Sequence, residues 1–230
     1  TSLDTGGVRD ESEPRIVAPG VTGSEGSAPV APGSGALLDM AVSPDGMLLA
    51  TAHSDGLTYL WDAATGVLVR TLGQRGQAAT DAARNTAVAF SPDGARLAAA
   101  YLDGTVKILD VATGAEVIKP LRVNRRGVLD VAYSPDGARL ATATIDNRVD
   151  LWDAATGAPL DRPAPEHIDA VYAVAFSPDG AYLASGSKDK SVIVWDARGP
   201  ALDVAYVNRS PTNTVTDVAF SADGRCLAYA

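Results

Sequence analysis

The sequence contains little cysteine and histidine, and each shortage excludes a kind of site or compartment. The single cysteine, Cys226, can form neither an internal disulfide nor a cysteine-built zinc site. The two histidines, His53 and His167, do not stand at a spacing typical of paired metal ligands. No apolar run approaches the ~20 residues that cross a bilayer, and no basic segment followed by an apolar one resembles a secretion signal. We therefore expect a protein of a reducing compartment, place it in the cytoplasm, and expect neither cofactor nor metal.

Basic side chains are also scarce. The 230 residues carry 19 Lys and Arg against 28 Asp and Glu, which gives a net charge of −9. This balance argues against binding to nucleic acid or to an anionic membrane through bulk electrostatics. Apolar residues make up 46% of the chain, which is ample for a folded core. The length is compatible with one large all-β or α/β unit.

The first 35 residues differ from the rest in composition. Gly, Pro and Ser supply 16 of them, and the apolar positions follow neither a two-residue nor a 3.6-residue period. Such a segment cannot bury enough apolar surface to offset the entropy of ordering it. We predict a flexible linker over residues 1–35, with another domain before it. The alternative is that a short piece, Arg15-Ile16-Val17, pairs as an edge strand.

From Ala36 onward the sequence repeats itself. The tetrapeptide Ser-Pro-Asp-Gly begins at four serines, with a Ser-Ala-Asp-Gly variant at a fifth, and these are Ser43, Ser91, Ser134, Ser177 and Ser221. The spacings are 48, 43, 43 and 44 residues. Eighteen residues after each of the first four serines stands an apolar residue followed by Asp, at Trp61-Asp62, Leu109-Asp110, Trp152-Asp153 and Trp195-Asp196. A fixed period of this length indicates a repeat architecture.

Each copy has the local chemistry of short strands joined by tight turns. An alternating apolar segment precedes Ser-Pro-Asp-Gly, in which Pro presets φ and Gly closes the turn without a Cβ clash. A second strand follows and ends at Asp-Gly or a near equivalent, such as Asp146-Asn147 and Asp189-Lys190, as expected for a hairpin. A third strand ends at Trp-Asp, and a fourth, less regular strand leads to the next copy. Four antiparallel strands per ~43 residues predict the blade of a β-propeller.

These residues resemble the WD-repeat β-propeller family, in the style of bacterial signalling proteins, over Ala36 to Ala230. The resemblance implies an all-β fold of four complete four-stranded blades and a partial fifth. Because WD-repeat rings most often have about seven blades, we expect an incomplete ring, closed by further residues, by the linker or by self-association. The predicted blades are residues 36–80, 81–124, 125–167, 168–211 and the partial 212–230.

The resemblance also implies a hydrogen-bonded tetrad of His, Ser or Thr, Asp and Trp inside a blade. Only the fourth copy matches in full, and its four members are His167, Ser187, Asp189 and Trp195. In the third copy Asn124 stands where the histidine would be, and the remaining members are Thr144, Asp146 and Trp152. The first copy has His53 at the hydroxyl position, and the second has Tyr101 and Leu109.

Reactive groups that could form a catalytic centre are few. Nearly every Asp belongs to a repeated turn or follows Trp, which gives it a structural explanation, and we name no catalytic residue. One enzymatic alternative stays open, namely a lactonase-like propeller, which would need metal ligands around the channel. Asp39, Asp130 and Asp217 lie near the inner strands, where such ligands would stand.

A shared surface remains as the candidate site. Strand alternation and the radial arrangement bring two positions of each blade to one rim of the channel. The residue early in each innermost strand forms the first set, which is Leu38, Thr86, Leu129, Tyr172 and Thr216. The residue just before each hairpin Asp forms the second, which is Ser54, Leu102, Ile145 and Lys188. By the resemblance, such positions bind partners, although several of them could instead point inward as packing.

We therefore expect a non-catalytic scaffold that binds a protein or peptide at the rim of the channel. Apolar groups clustered around an aromatic anchor, here Tyr172 with Lys188 beside it, are typical of recognition sites. The alternative is a sensor or autoinhibitory module of a larger signalling ATPase or kinase, whose catalytic domain would lie before residue 1. We expect no nucleic acid and no membrane insertion.

Overall fold

The structure is a computed structural model that describes residues 35–73, 84–124, 126–161 and 166–230, and within these ranges the regular elements are all β-strands. The first sheet contains β1 (Leu37–Val42), β2 (Leu48–His53), β3 (Thr58–Asp62) and β4 (Leu68–Leu72). The second contains β5 (Asn85–Phe90), β6 (Arg96–Tyr101), β7 (Thr105–Asp110) and β8 (Leu121–Arg122). The third contains β9 (Val128–Tyr133), β10 (Arg139–Thr144), β11 (Val149–Asp153) and β12 (Pro159–Asp161). The fourth contains β13 (Val171–Phe176), β14 (Tyr182–Ser187), β15 (Val192–Asp196) and β16 (Asp203–Asn208). A two-stranded sheet follows, with β17 (Val218–Phe220) and β18 (Leu227–Tyr229).

Strands in every sheet follow one another in chain order and pair antiparallel. The first strands of successive sheets lie side by side, β1 beside β5, then β9, β13 and β17. Four sheets of four strands and half of a fifth, arranged around their first strands, are the blades of a β-propeller, as the repeat predicts. Each sheet lies within one of the predicted blade ranges. The predicted linker lies outside the described residues except for Gly35, and the incompleteness of the ring stays a prediction.

The Ser-Pro-Asp-Gly turn is held by its own side chains. In the first copy the Ser43 hydroxyl donates to Asp45 Oδ1 at 2.6 Å and accepts from the Leu48 backbone N–H at 2.8 Å. Gly46 then adopts φ 72°, a left-handed conformation in which an L-residue is strained. The same contacts recur in all five copies, at Ser43, Ser91, Ser134, Ser177 and Ser221. The motif therefore sets where the first strand ends and the second strand begins in each blade.

The core lies between neighbouring blades. The second strand of each sheet is built from small residues such as Ala98 and Ala141, both fully buried, so that two sheets approach closely. Large side chains of the next strand, among them Ile108 and Leu151, fill the space between the sheets. Burying each of these side chains contributes about 1.5–3 kcal/mol to the free energy of unfolding. The core clusters combine residues of two neighbouring blades, so each blade depends on its neighbours to bury part of its apolar surface.

Long polar side chains add further links between blades. The Arg96 guanidinium of the second blade donates to the Ala154 carbonyl of the third at 3.3 Å. Arg139 repeats this contact one blade later, donating to the Ala197 carbonyl and stacking over the Phe176 ring at 5.6 Å from its centroid.

Within the part of the chain that the structure describes, no helix is long and apolar enough to span a membrane.

Candidate functional site: the rim of the channel

Five side chains, one from each blade, line a single pocket of about 280 Å³ at one end of the inner strands. They are Leu38, Thr86, Leu129, Tyr172 and Thr216. These are the five residues of the first predicted set, so the structure brings that whole set together. Leu38 is 43% exposed and Tyr172 is half-buried, so the pocket presents apolar surface to solvent.

A β-bulge places four of these five residues. The pairing of the first and second strands skips one residue in each of the first four blades, between Leu37 and Asp39, for example. The skipped residues are Leu38, Thr86, Leu129 and Tyr172. A bulge leaves its extra residue unpaired and turns its side chain away from the normal alternation. The rim is therefore built by a repeated irregularity of the strand and not by regular pleating.

The second predicted set does not belong to the lining of this pocket. Leu102 and Ile145 are half-buried, and a Cβ on Gly127 would come within 3.0 Å and 2.9 Å of their respective Cδ1 atoms. These two side chains therefore pack against the backbone of the third blade. The Ser54 hydroxyl accepts the Ala36 backbone N–H at 2.8 Å.

Lys188 is the one member of the second set with a charge. Its Nζ lies 3.4 Å from Asp169 Oδ2, and the two side chains are about half exposed. An exposed pair of this kind contributes little to stability, since solvent screens it. Its part in partner binding stays a prediction, as do those of Leu102 and Ile145.

An acidic residue follows the bulge in the first and third blades, and its carboxylate accepts a hydrogen bond from the backbone of the next blade. Asp39 Oδ2 accepts the Val88 backbone N–H at 2.9 Å, and Asp130 Oδ2 accepts that of Val174 at 2.8 Å. Loss of hydration, together with the charges of Asp39 and Asp217, raises the pKa of Asp130 to about 7, although hydrogen bonds from backbone N–H groups lower it. The pKa of Asp39 is raised for the same main reason.

These carboxylates were the residues on which the metal alternative depended. Among the residues that the structure describes, no group of three or more His, Cys, Asp or Glu side chains is placed to hold a metal ion. The contacts given above show what Asp39 and Asp130 do in this fold, which is to accept backbone N–H groups of a neighbouring blade.

The predicted tetrad of the fourth blade forms with one correction. His167 Nδ1 lies 3.1 Å from Asp189 Oδ2, and its Nε2 lies 2.8 Å from a serine hydroxyl that also accepts the Trp195 indole N–H at 2.9 Å. That hydroxyl belongs to Ser185, and the predicted Ser187 is wrong. Ser187 instead donates to the Ala170 carbonyl at 2.9 Å.

Strand geometry explains the correction. Trp195 pairs with Leu183, and each residue along a strand advances by ~3.3 Å, so Ser185 is within reach of the indole whereas Ser187 is two residues further away. The last pair of β14 with β15 is Gly186 with Val192, so Ser187 lies beyond the part of β14 that pairs with the strand of Trp195. Loss of hydration lowers the pKa of His167, although Asp189 raises it, and the ring stays neutral at neutral pH.

The other blades keep parts of this network. In the third blade the Trp152 indole donates to Thr142 at 3.1 Å, and not to the predicted Thr144. Asn124 takes the place of the histidine and donates to Asp146 at 2.6 Å. In the first blade the hydroxyl is that of Thr51, which accepts the Trp61 indole N–H at 2.8 Å and lies 3.0 Å from His53 Nε2.

Radial blades with a shared rim define a β-propeller of the kind that presents a binding surface. A family model described as WD domain, G-beta repeat matches the chain four times, over residues 30–62, 77–110, 116–153 and 163–196. These matches cover more than half of the sequence, and the chain belongs to the WD40-repeat family. WD40 propellers are generally non-catalytic scaffolds for protein–protein interaction. A search of curated proteins found no match.

Proposed function

We propose that this protein binds a peptide segment of a partner protein at the rim formed by the five pocket residues. The observation that carries the proposal is the pocket itself, to which every blade contributes one side chain. Two leucines and a tyrosine give it an apolar wall, and two threonines give it hydroxyls. Surfaces of this composition, with an aromatic anchor surrounded by aliphatic groups, are typical of binding hot spots.

Rigid display supports the proposal. Tyr172 and Leu129 are each the bulged residue of a strand that is paired on one side and packed against the next blade. Their backbone is therefore fixed before a partner arrives, and association loses less conformational entropy than it would on a mobile loop. Thr86 is held further, because its hydroxyl donates to the Val128 carbonyl of the third blade at 2.7 Å.

The experiment is selection of binders from a phage-displayed library of random linear peptides, with the full chain as bait. Selected peptides are then titrated against Tyr172→Ala and Leu129→Ala variants. Truncation of an aromatic anchor typically costs about 2 kcal/mol or more, so we expect Kd to rise at least about 30-fold for Tyr172→Ala. Tyr206→Ala is the matched control, because Tyr206 is 62% exposed on the outer strand β16.

Peptides that lose affinity for Tyr172→Ala and keep it for Tyr206→Ala would support the rim as the binding site. Equal affinity for both variants and the parent protein would refute it. Circular dichroism of each variant shows whether its fold is intact, which separates a lost contact from a lost structure.

A further inference from the structure

A second pocket lies at the outer edge of the blades, away from the rim. It has a volume of about 440 Å³ and is formed by β8, the outermost strand of the second blade, and by the Thr-Gly turn of the third. Its lining residues are Lys119, Pro120, Leu121, Arg122, Thr156 and Gly157. The volume falls within the range of sites that bind ligands, about 300–1,000 Å³.

The strand and the turn are in direct contact, which gives the pocket a fixed shape. Leu121 is buried, and a Cβ on Gly157 would lie only 2.5 Å from its Cδ2 atom. The turn is held by Asp153, whose Oδ1 accepts the backbone N–H and the hydroxyl of Thr156, both at 2.7 Å. Lys119 and Arg122 are both exposed, so a ligand can reach them.

In the first blade the position that corresponds to Lys119 joins two blades. It is occupied by Arg70, which stands two residues before the buried Leu72, as Lys119 stands two residues before the buried Leu121. Arg70 lies opposite the third residue of β3. Its guanidinium donates at 2.8 and 3.3 Å to two backbone carbonyls in the Thr-Gly turn of the second blade, those of Ala112 and Thr113.

The third blade joins its neighbour at the same position with the opposite charge. Asp161 lies opposite the third residue of β11 and accepts the Leu202 backbone N–H of the fourth blade at 2.7 Å. Among the described residues, the side chains of Lys119 and Arg122 have neither a hydrogen bond nor an ion pair. The second blade thus keeps a basic residue at this position that the fold does not use.

The lining of the pocket is positively charged. Lys119 and Arg122 are its two charged members, and no acidic side chain is among the described residues that line it. Carboxylates of neighbouring segments have other contacts, Asp153 with Thr156, Asp103 with the Thr105 hydroxyl at 2.6 Å, and Glu116 with Lys107 Nζ at 3.1 Å. Two accessible cations therefore stand together in a protein whose net charge is −9.

The spacing of the two cations fits an extended peptide. Lys119 and Arg122 stand three residues apart, which corresponds to about 10 Å along an extended strand. Side chains two or three residues apart on an extended peptide are separated by about 7–10 Å. Two acidic side chains of one such peptide can therefore contact the two cations at the same time.

We propose that this pocket binds an acidic segment of a partner protein, with one carboxylate at Lys119 and another at Arg122. The planar guanidinium of Arg122 can hold a carboxylate through two parallel hydrogen bonds, and Lys119 supplies a compact charge. Exposed ion pairs contribute little one by one, so the affinity depends on both contacts together. The site is separate from the rim, and a partner at the rim is not required for it.

The test titrates the ¹⁵N-labelled full chain with acetyl-tetraglutamate amide. We expect saturable shifts of the Gly157 and Arg122 backbone amide resonances, since both residues line the pocket. Because salt screens exposed charges, raising NaCl from about 0.02 M to about 0.5 M should raise Kd at least about fivefold. Acetyl-tetraglutamine amide, which has the same length but no charge, should bind at least about tenfold more weakly.

The chain offers a matched pair of variants. Lys119→Gln with Arg122→Gln should raise the Kd for tetraglutamate at least about tenfold. Lys190→Gln with Arg225→Gln is the control, because it removes the same charge from two exposed side chains outside the pocket. Its Kd should stay within about twofold of the parent value. All four side chains are exposed, so both double variants should keep the fold, which circular dichroism checks.

The proposal is overturned by the absence of a saturable shift, by equal affinity of the two double variants, by equal affinity for the glutamine peptide, or by a Kd that does not depend on salt. Inorganic phosphate is titrated in parallel, and phosphate binding as tight as that of tetraglutamate would also overturn it, since the pocket would then be a site for small anions. The salt and glutamine measurements use the parent protein, so they test the proposal even if a variant unfolds. None of these results bears on the rim, whose test uses Tyr172→Ala, so the two proposals fail independently.

Discussion

Ser185 shows how one buried hydroxyl serves two partners. Its oxygen accepts the Trp195 indole N–H. Because His167 Nδ1 donates to Asp189, His167 Nε2 carries no proton and accepts the hydrogen bond that the Ser185 hydroxyl donates. All four side chains are largely removed from water. A buried network of this kind stabilises the fold only when every member has its partner.

Ser185→Ala should therefore destabilise the protein. It leaves the indole N–H and the imidazole nitrogen without partners, at a cost of about 1–3 kcal/mol each in the free energy of unfolding. Urea denaturation measures the loss, and the indole cross-peak of Trp195 in a ¹H–¹⁵N spectrum shows its cause. Ser187→Ala should leave that cross-peak in place, and a shift there instead of in Ser185→Ala would contradict the network described above.

Asp130 makes stability depend on pH. Its pKa in the folded protein, about 7, exceeds the 3.8 of an ordinary Asp, so the folded chain holds a proton that the unfolded chain has lost. Its contribution to stability is thus fully present below pH 3.8 and falls as pH rises to about 7. Asp130→Asn cannot ionise and keeps an oxygen for the Val174 N–H.

We expect the melting temperature of Asp130→Asn, relative to the parent protein, to increase with pH over this interval. A change of several degrees is measurable, since each kcal/mol shifts the Tm of a chain of this size by about 2–4 °C. Asp203→Asn is the control, because Asp203 is exposed on the outer strand β16 and is not among the charges that raise the pKa of Asp130. A pH-independent difference for Asp130→Asn would show that the carboxyl titrates normally.

At the scale of the element, the hairpin turn between the second and third strands of each blade needs a left-handed residue. Glycine supplies it at Gly56 and Gly104, whereas Asn147 and Lys190 adopt φ 68° and 67° in the third and fourth blades. Gly104 has a second constraint, because a Cβ there would lie 2.2 Å from the Asn124 carbonyl oxygen. The turn of the second blade and the segment leading to the third therefore touch through backbone atoms.

Gly104→Ala should be among the most destabilising substitutions in the chain. The left-handed conformation costs an L-residue about 1–2 kcal/mol, and the forced shift of backbone adds about 1–3 kcal/mol. Gly46→Ala is the matched control, since φ is 72° there and no atom lies within 4 Å of the added methyl. Thermal unfolding of both variants tests this, and equal losses would show that the close approach does not matter.

At the scale of the whole molecule, apolar surface is left uncovered on the first blade. Met40 and Val42 stand two residues apart on β1, so they project from the same face, and they are 59% and 60% exposed. Met47, in the turn that follows, is 62% exposed. Exposed apolar side chains grouped in this way are typical of surfaces that associate with other proteins.

We expect the chain to associate with itself as its concentration rises, and the double variant Met40→Gln, Val42→Thr to do so less. Sedimentation velocity over a range of concentrations measures the change in apparent mass. Ile168→Gln serves as control, because Ile168 is 77% exposed but lies on a loop that precedes β13. Association that is unchanged in the double variant would exclude this face of the first blade as the contact.

The sequence by itself determined the blades and the identity of the five rim residues. A period of about 43 residues, two turn motifs and alternating apolar strands are local signals, because φ preferences and strand alternation act within a few residues. For this reason the strand order was predictable. The set that contains Leu129 and Tyr172 was predictable because its members stand at the same position of every repeat, whereas the second predicted set, which contains Leu102 and Ile145, does not line the pocket.

Only the tertiary structure decided which atoms meet. It replaced Ser187 by Ser185 in the tetrad, because the reach of an indole depends on register across two strands and not on position in a motif. It showed that bulges aim the rim residues, and that Lys119 and Arg122 line one pocket beside the third blade. Register, bulges and burial are set by contacts between segments that are distant in the chain, and one sequence read locally does not contain them.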